Sequence, residues 1–287
     1  MERAGVSGFS CGAPFRQAAE QLRQLRPALE PVNEVTHEIG GKRPLRRPPI
    51  VLAIIPCFDE ETAIGQVVTA VLAQNVSEVV VVDGGSRDRT TERAEAAGAR
   101  VIVEPQRGYG RAIQAGIAAV RDDSDIVVFL DGDGSDPAEF IPDLVSPIVA
   151  GQAVFVLGSR IRGSREPGSL APQQLLAAHV GGLLLRLVYG ANFTDLSPFR
   201  AIRRDELRRL GMKEETYGWN LEMLMRVAAA RLPALEIAVG QRRRIGGVSK
   251  VSGNLIAGFK AAWSISATFV RLALELRHQR LLADNSC

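Results

Sequence analysis

The amino-acid sequence predicts an α/β fold in which a mostly parallel sheet is flanked by helices. Two observations support this prediction. Continuous apolar segments of strand length alternate with helical patterns over residues 50–157, and polar segments rich in glycine and aspartate follow the strands. Strands that are apolar along their whole length are typical of parallel sheets covered on both faces.

The first two predicted strands are each followed by a loop and a helix. Residues 50–55 (IVLAII) form an apolar run that ends at Pro56, and a helical pattern covers residues 63–72. Residues 79–82 form the second strand, which ends in DGGSRDRT before a helix that begins at Thr90.

Three further strands continue the pattern. Residues 100–103 precede EPQRGYG and a helix that ends at Val120, and residues 125–130 precede DGDGSDP and a helix that ends at Ala150. Residues 153–157 supply a fifth strand. Ligands of open α/β sheets bind outside the carboxyl ends of the strands, so we expect the chemistry in the polar segments that follow them.

Beyond Gly158 the alternation becomes looser. A polar loop (SRIRGSREPGSLAPQ) leads to a helix that ends near Tyr189, and a polar cluster occupies residues 194–200. A helix around residues 219–232 and a basic strand end near Arg242 follow. We expect this half of the fold to form the wall that faces a second substrate.

Composition places the chain among soluble globular proteins, because 46% hydrophobic and 23% charged residues are ordinary values. The net charge of +3 is unevenly distributed: from Arg242 to the end there are eight basic residues and two acidic ones. This asymmetry indicates an anionic partner. Nucleic acid is a poor candidate, since only 5% of residues are aromatic and no zinc-finger, RNP or basic-zipper pattern occurs.

The cysteines and the hydropathy pattern bear on the compartment. Cys11, Cys57 and Cys287 lie far apart and form no CxxC pair, which argues against a disulfide framework or a zinc site. The first residues lack the apolar core of a signal peptide, and no stretch of 18 uncharged apolar residues occurs. We therefore expect a cytoplasmic protein, either free or peripheral on the inner face of the membrane.

Composition also divides the chain into segments. Residues 1–48 mix Pro, Arg, Gln and Glu without sustained periodicity and are predicted to be a flexible leader. Residues 49–250 form the α/β domain, with the strand-helix repeats in 49–158 and the looser half in 159–250. Residues 251–287 are predicted to be an amphipathic helix and a tail.

The predicted C-terminal helix allows two interpretations. Within residues 255–274, apolar side chains recur at near-helical spacing and basic residues flank them. The apolar positions are Leu255, Phe259, Trp263 and Val270. Such a helix either lies on an anionic membrane surface or packs its apolar stripe against the core.

The segment FLDGDGSDP places Asp131 and Asp133 directly after a predicted strand, with glycines that allow a sharp turn. Carboxylate oxygens are hard ligands, and Mg²⁺ commonly takes one or two of them together with substrate phosphates. A metal bridging this pair and a diphosphate would neutralise the charge that develops on a nucleotide leaving group. The alternative is an Asp-Gly turn with local side-chain hydrogen bonds.

Two further segments contain glycines near a strand end or a helix start. Asp83 ends the second strand, and the glycines after it permit close approach of a planar or sugar ligand. The alternative is that this segment is only a turn, in which Asp88 and Thr90 are candidates to cap the next helix. RGYGRAIQAG opens a helix with glycines that suit a ribose or a phosphate, although this pattern alone is weak.

Taken in order, these segments resemble a known family. IIPCFDEE, VVDGGSRDRT, RGYGRAIQAG, FLDGDGSDP, VLGSR, TDLSPFRAIRR and RRRIGGVSK are similar to motifs of the family-2 glycosyltransferases of GT-A fold. Within that family they resemble the polyprenyl-phosphate (dolichyl-phosphate) mannose or glucose synthases, over about residues 50–255. The resemblance implies a Rossmann-like domain with a nucleotide-sugar-binding half at 49–158 and an acceptor half at 159–250.

The resemblance implies roles in donor binding. It places the following residues at the nucleoside diphosphate sugar: Pro56, Asp59, Glu60, Asp83, Arg107, Gly108, Arg111 and Asp131. It also implies that Asp131 and Asp133 bind a divalent cation, Mg²⁺ or Mn²⁺. Ser135 stands where the synthases commonly have a glutamine that helps to bind the metal, so a third protein ligand stays open.

Four residues are implied in catalysis: Asp133, Asp195, Arg200 and Glu222. TDLSPFR resembles the family's D…GFR segment, although Ser197 and Pro198 replace the usual small-Gly pair. If the acceptor is a hydroxyl, Glu222 or Asp195 is expected to remove its proton. On an amphipathic helix, Glu222 is alternatively a solvated surface residue.

If the acceptor is a phosphate, its oxygen is already nucleophilic and the site needs cations instead of a base. Arg242, Arg243, Arg244, Ser249 and Lys250 meet that need, because guanidinium groups match phosphate oxygens. The alternative is a solvated run of surface charge.

The sequence therefore predicts an inverting, metal-dependent transfer of a hexose from a UDP- or GDP-sugar to a lipid-linked phosphate of the polyprenyl-phosphate type. A soluble hydroxyl acceptor, such as a glycan or metabolite, is the alternative within the enzyme class. A nucleotidyltransferase is a rival, but PCFDEETA lacks that class's Gly-rich basic loop after the first strand. A non-catalytic nucleotide-binding module is the remaining possibility.

Overall fold

A seven-stranded sheet lies at the centre of the computed structural model, which describes residues 44–45, 47–246 and 265–278. The strand order is β3-β2-β1-β4-β6-β5-β7. In chain order the strands are β1 (Val51–Cys57), β2 (Glu78–Asp83), β3 (Arg100–Val103), β4 (Ile126–Phe129), β5 (Phe155–Ser159), β6 (Arg200–Arg203) and β7 (Ala234–Ala238). Neighbouring strands are parallel, except that β6 is antiparallel to β4 and β5. The predicted α/β fold with a mostly parallel sheet is confirmed.

The helices cover both faces of this sheet. In chain order they are α1 (Ile64–Leu72), α2 (Thr90–Ala96), α3 (Tyr109–Ala118), α4 (Ile141–Val149), α5 (Pro172–Tyr189), α6 (Arg204–Leu210), α7 (Trp219–Ala229) and α8 (residues 265–278). Side chains of β1 alternate between two cores: Leu52 and Ile54 pack with α3, α7 and α8, whereas Ala53 and Ile55 pack with α1 and α4. This alternation explains why the strand is apolar at every position.

Strand register sets the position of the polar segments. Cys57, the last residue of β1, pairs with Asp83, the last residue of β2. Ile54 pairs with Phe129, so Asp131 begins its loop beside the end of β1. Because these strands are parallel, the loops that follow them gather at one edge of the sheet, as predicted.

Strand β6 is a departure from the sequence prediction, which assigned residues 194–200 to a polar cluster and no strand to the residues after it. Arg200 and Arg203 stand at its two ends and are both buried, so the segment does not have the apolar run that marks β1 or β4. It separates β4 from β5 in the sheet. The predicted basic strand end near Arg242 is also shifted, because β7 ends at Ala238.

Helices α5 and α8 pack against each other beside the sheet. The Tyr189 ring contacts Phe269 at 6.2 Å between centroids, and Leu185 shares a core with Leu272. Gly190, with a φ of 69°, ends α5 in the left-handed conformation that glycine adopts without strain. Among the described helices, none is long and apolar enough to cross a membrane. Most of the predicted leader, and the predicted C-terminal segment outside residues 265–278, lie outside the described residues.

Two glycines at the start of α3 allow the backbone of the loop before α7 to pack directly against the backbone of α3. A Cβ at Gly108 would lie 2.6 Å from the Glu215 carbonyl oxygen, and a Cβ at Gly110 would overlap the Glu214 carbonyl oxygen. The Arg111 N–H donates to the Glu215 carbonyl at 3.0 Å. The two halves of the domain are therefore joined at a point where side chains do not fit.

We predict that Gly110→Ala lowers the free energy of unfolding by about 1–3 kcal/mol, because the added methyl group meets backbone atoms that cannot rotate away. Equilibrium urea unfolding measures the effect. Gly65→Ala is the matched control, since Gly65 is also the second residue of its helix and its Cβ would lie 3.6 Å from the nearest atom. This control is expected to leave stability unchanged or to raise it by up to about 1 kcal/mol. Equal effects of the two substitutions would contradict the close approach.

Candidate functional site

A cavity of about 950 Å³ opens at the carboxyl edge of β1, β2 and β4. One wall consists of the loops after these strands, and the opposite wall includes the first turns of α5 together with Ile265 and Thr268 of α8. The charged residues among the described lining are Glu60, Asp131, Asp133, Arg107, Arg160 and Arg244. The described part of the cavity wall thus contains three carboxylates and three guanidinium groups.

The loops after β1 and β2 brace each other behind this wall. The Asp59 N–H donates to Ser86 Oγ at 2.8 Å, and the Arg87 N–H donates to Asp59 Oδ1 at 2.9 Å. The Glu60 N–H donates to Thr90 Oγ1 at 2.8 Å. Of the residues predicted here for donor binding, Pro56 and Glu60 line the cavity, whereas Asp59 does not.

Asp83 holds its own turn. Its Oδ2 accepts the N–H groups of Gly85 and Ser86 at 3.0 and 2.9 Å, and Oδ1 accepts the Ser86 hydroxyl. The side chain is 2% exposed, and Gly84 lines the cavity in its place. This geometry favours the turn alternative for Asp83. Asp88 Oδ1 accepts the Thr90 N–H at 3.0 Å, but the N-cap of α2 is Arg89, so neither predicted capping residue occupies that position.

The RGYG segment contributes unequally to the cavity. Arg107 and Gly108 line it, and the Arg107 guanidinium stacks on the Phe58 ring at 4.9 Å from its centroid. Arg111 does not line it and instead pairs with Glu215 outside. A planar cation over an aromatic ring forms a surface suited to a flat ligand such as a nucleobase.

Asp131 and Asp133 both line the cavity at the end of β4. Asp131 Oδ1 accepts the Tyr109 hydroxyl at 3.3 Å, and Asp133 Oδ1 accepts the Ser135 N–H at 2.9 Å. Asp133 Oδ2 lies 3.2 Å from Arg244 Nη1. Each carboxylate is thus oriented by a neighbour while it stays at the cavity surface.

A third carboxylate, Asp136, stands behind this pair and was missed by the sequence analysis. It is 5% exposed, and its Oδ2 accepts the Asp131 N–H at 3.0 Å. Burial, together with the charge of Asp133, raises the pKa of Asp136 to about 7. Burial and the charges of Asp136 and Asp133 likewise raise the pKa of Asp131 well above its ordinary value.

The aspartate pair fits a divalent cation. Within the described ranges, no group of three or more His, Cys, Asp or Glu side chains is arranged to hold a metal ion. Two carboxylates at the surface of a cavity leave coordination positions for substrate phosphates and water, which is how Mg²⁺ is commonly held. Ser135 contributes its backbone N–H to Asp133.

Arg160 is a cavity residue that the sequence analysis did not single out, although it lies in the VLGSR segment. Its guanidinium makes a bidentate pair with Asp195, with distances of 2.9 Å to Oδ2 and 2.8 Å to Oδ1. Asp195 also accepts the backbone N–H groups of Arg160 and Leu196 at 2.8 and 2.7 Å. Burial alone would raise the pKa of Asp195, but Arg160 and these donors hold it below its ordinary value.

The expectation that Asp195 removes a proton from the acceptor is therefore not supported. Its carboxylate is 1% exposed, does not line the cavity and is occupied by four donors. A base also needs a pKa near the working pH, and that of Asp195 is shifted the other way. In the structure, Asp195 instead holds the Arg160 guanidinium in place.

Glu222 and Arg200 also lie away from the cavity. Glu222 is fully buried, where it accepts the Lys213 and Glu214 N–H groups and pairs with Arg226 at 2.8 Å, so it is neither a base at the cavity nor a solvated residue. Arg200 is fully buried and donates to the carbonyl groups of Ser197 and Asn220. Burial lowers the pKa of Arg200 to about 10. Both residues hold loops and α7 in place.

The three arginines at residues 242–244, which follow β7, have different partners in the structure. Arg242 pairs with Glu139, and the Arg243 guanidinium donates to the Pro167 carbonyl, so neither lines the cavity. Arg244 enters the cavity and pairs with Glu60 and Asp133 on the donor side. Ser249 and Lys250 lie outside the described residues. The expected acceptor-phosphate site is therefore not formed by Arg242.

Two tyrosines at the cavity were also missed. Tyr109 and Tyr217 line it and stack with 5.7 Å between ring centroids and 20° between ring planes. Burial, reinforced by the charge of Asp131, raises the pKa of Tyr109 well above its ordinary value, so its hydroxyl keeps the proton that it donates to Asp131. The tyrosine within RGYG was visible in the sequence, but its partner lies 108 residues later in the chain.

We predict that Asp195→Asn lowers the free energy of unfolding at pH 7 by about 3 kcal/mol, because it leaves the Arg160 guanidinium buried without its charge partner. The folded-state pKa of Asp195 lies below the unfolded value, so this contribution is present above the unfolded pKa and is lost as pH falls through the folded one. Thermal unfolding between pH 7 and pH 3 is expected to show the two proteins converging at the acid end. Asp122→Asn, in an exposed pair with Arg208, is the control and is expected to match the wild type. A constant difference across the pH range would contradict the assignment.

Comparison with known proteins agrees with this geometry. The model of glycosyl transferase family 2 matches residues 52–211. An uncharacterised glycosyltransferase of Mycobacterium tuberculosis is 36% identical over 211 residues, which cover 71% of this chain and 91% of that protein. The dolichyl-phosphate hexose transferase of Haloferax volcanii is 32% identical over 228 residues, with coverage of 78% and 94%.

Solved structures extend the comparison. Glucosyl-3-phosphoglycerate synthase from Mycobacterium tuberculosis, in complex with phosphoglyceric acid, aligns with a TM-score of 0.63 at 26% identity, covering 78% of this chain and 80% of that one. Another structure of that enzyme contains Mn²⁺, UDP-glucose and glycerol 3-phosphate and aligns with a TM-score of 0.59. The fold and the family inferred from the ordered motifs are confirmed: the chain belongs to glycosyl transferase family 2 and is a glycosyltransferase of GT-A fold.

Proposed function

We propose that this glycosyltransferase moves a hexose, with inversion, from a UDP- or GDP-sugar to a lipid-linked phosphate of the polyprenyl-phosphate type. The observation that carries the proposal is the composition of the cavity wall. The two expected bases, Asp195 and Glu222, are buried behind it, and a paired arginine, Arg160, faces the cavity in their place. Such a wall suits an acceptor that brings its own anionic oxygen.

The donor side supports a nucleotide sugar bound with a divalent cation. Phe58 and Arg107 offer a flat surface for a base, and Asp131 and Asp133 offer carboxylate oxygens for the metal. The related glucosyl-3-phosphoglycerate synthase has been solved with Mn²⁺ and UDP-glucose. A bound divalent ion would neutralise the negative charge that develops on the departing diphosphate.

The acceptor side supports attack by a phosphate oxygen. Of the carboxylates among the described lining residues, Asp131 and Asp133 are assigned to the metal, and Glu60 lies in the loop after β1 on the donor side. None is then left to remove a proton from a hydroxyl group. The bidentate pair with Asp195 fixes the orientation of the Arg160 guanidinium. This fixed cation orients an anionic acceptor beside the sugar.

The outer face of α5 supports a lipid for the rest of the acceptor. Leu176, Leu183 and Leu187 are 45%, 57% and 72% exposed and lie opposite the buried side of the helix. Val270 and Leu274 of α8 are 58% and 62% exposed. Exposed apolar groups on two helices that pack together are typical of a surface that docks on a membrane or a lipid.

Charge on these helices agrees with an anionic membrane surface. Helix α5 contains no acidic residue, and its single arginine, Arg186, is exposed. Arg277 of α8 is exposed as well. A peripheral position at the inner face of the membrane would bring the cavity mouth to the headgroup region, where a lipid phosphate lies.

A soluble phosphorylated acceptor is the second candidate. It is favoured by the structural similarity to glucosyl-3-phosphoglycerate synthase in complex with phosphoglyceric acid. Arg160 suits a soluble anion as well as a lipid phosphate, so this residue does not distinguish the two acceptors. The exposed apolar faces of α5 and α8 favour the lipid.

We predict that the full chain moves label from a radiolabelled UDP- or GDP-hexose into the organic phase when polyprenyl phosphate and Mg²⁺ or Mn²⁺ are present. Parallel reactions with 3-phosphoglycerate test the soluble alternative, and EDTA is expected to stop transfer. Asp133→Asn is expected to lower kcat/KM by about a thousandfold, because it removes a charged metal ligand. Asp123→Asn, in an exposed pair with Arg121, is the matched control and is expected to keep full activity. Label that reaches only the aqueous product would contradict the lipid acceptor.

We predict that Leu183→Ser combined with Leu187→Ser weakens sedimentation with phosphatidylcholine–phosphatidylglycerol vesicles by about tenfold, because it removes apolar surface from the docking face. Val103→Ser is the control, since Val103 is 59% exposed on the edge strand β3 at the far side of the sheet. Equal vesicle binding by the double variant and the wild type would exclude α5 as the docking element.

A further inference from the structure

Of the three consecutive arginines at residues 242–244, only Arg244 enters the cavity. Its partners there are two acidic side chains from the loops after β1 and β4. Its guanidinium pairs with Glu60, and its Nη1 lies 3.2 Å from Asp133 Oδ2. The side chains of Arg244, Asp133 and Glu60 are 27%, 11% and 7% exposed. The ion pairs are therefore largely shielded from solvent, where charge interactions are stronger than at an open surface.

The backbone around Arg244 is fastened to the loop that carries Asp133. The Ile245 N–H donates to the Asp133 carbonyl at 3.0 Å, and the Arg242 N–H donates to the Ser135 carbonyl at 3.0 Å. Gly134, with a φ of 78°, lies against the Ile245 side chain, where a Cβ would overlap it. Arg244 thus starts from a fixed point beside Asp133, and its long side chain is the part that can reorient.

The hydrogen bonds of Asp133 determine which of its oxygens a metal ion can use. Oδ1 accepts the Ser135 N–H at 2.9 Å, so Oδ2 is the oxygen turned toward a cation, and Arg244 holds it. A divalent cation held by this pair would use the same oxygen. Two cations that share one carboxylate oxygen repel each other, so the metal and the guanidinium compete for Oδ2.

We infer that Arg244 is the resident counter-ion of the donor site: in the free enzyme it neutralises Asp133, and it yields Asp133 to the metal when a nucleoside diphosphate arrives to bind the guanidinium. This inference rests on the proposed metal role of Asp133. This exchange of partners by Arg244 makes the binding of the metal and the binding of the nucleotide mutually dependent. The metal alone must displace Arg244 from Asp133 and leave it with Glu60 as its remaining partner, whereas the diphosphate supplies a further anion for the guanidinium.

The test is Mn²⁺ binding to the full chain in the absence of nucleotide, measured by electron paramagnetic resonance of the free ion. Arg244→Gln is expected to bind Mn²⁺ about tenfold more tightly than the wild type, since the competing charge is gone. Arg244→Lys keeps a positive charge and is expected to stay close to the wild type. Arg208→Gln, which removes the same charge from an exposed pair with Asp122, is the matched control and is expected to have no effect.

The second measurement is the factor by which UDP or GDP strengthens Mn²⁺ binding. This factor is expected to be smaller in Arg244→Gln than in the wild type, because the variant lacks the group that links the two ligands. Unchanged or weaker Mn²⁺ binding by Arg244→Gln would overturn the counter-ion role, as would Arg244→Lys behaving like the glutamine variant. If Asp133→Asn leaves Mn²⁺ affinity unchanged, the metal assignment itself fails, and the inference fails with it.

Discussion

Negative charge concentrated at the end of β4 is the constraint on which the site depends. Asp131, Asp133 and Asp136 lie within six residues of one another, and burial together with the neighbouring carboxylates raises the pKa of Asp131 and of Asp136. Arginine side chains from distant segments meet this charge: Arg160 follows β5, and Arg244 follows β7. The cavity is therefore assembled by electrostatic compensation between segments that are far apart in the sequence.

Rigid packing behind the cavity keeps this charge arrangement in register. The braced loops after β1 and β2, through Asp59 and Ser86, fix one wall. Gly110 lets the backbone before α7 reach α3, and this contact places Tyr217 against Tyr109, whose hydroxyl in turn contacts Asp131. Residues that never face the substrate thus determine the positions of those that do.

The sequence was sufficient to predict the fold, because β1, β2 and β4 are buried on both faces and carry an uninterrupted apolar signal. It also identified the Asp131–Asp133 pair, which directly follows a strand. It did not predict β6, whose ends are buried arginines, and it assigned Glu222 to the acceptor side. Local spacing reports which residues follow a strand, but whether a carboxylate faces a cavity or a buried arginine depends on contacts between distant segments.

Charge balance links the geometry to the proposed donor. When all six groups are ionised, as they are with a cation bound at Asp131, the three carboxylates and three guanidinium groups of the described lining make the wall neutral. A sugar diphosphate with two ionised phosphates and one divalent cation also form a neutral unit, whereas either ligand alone would bring an uncompensated charge into a shielded cavity. Burying such a charge is costly unless a partner accompanies it. Under the proposed function, a neutral wall therefore favours the donor and its metal as one complex, and Arg244 is placed where the exchange of partners occurs.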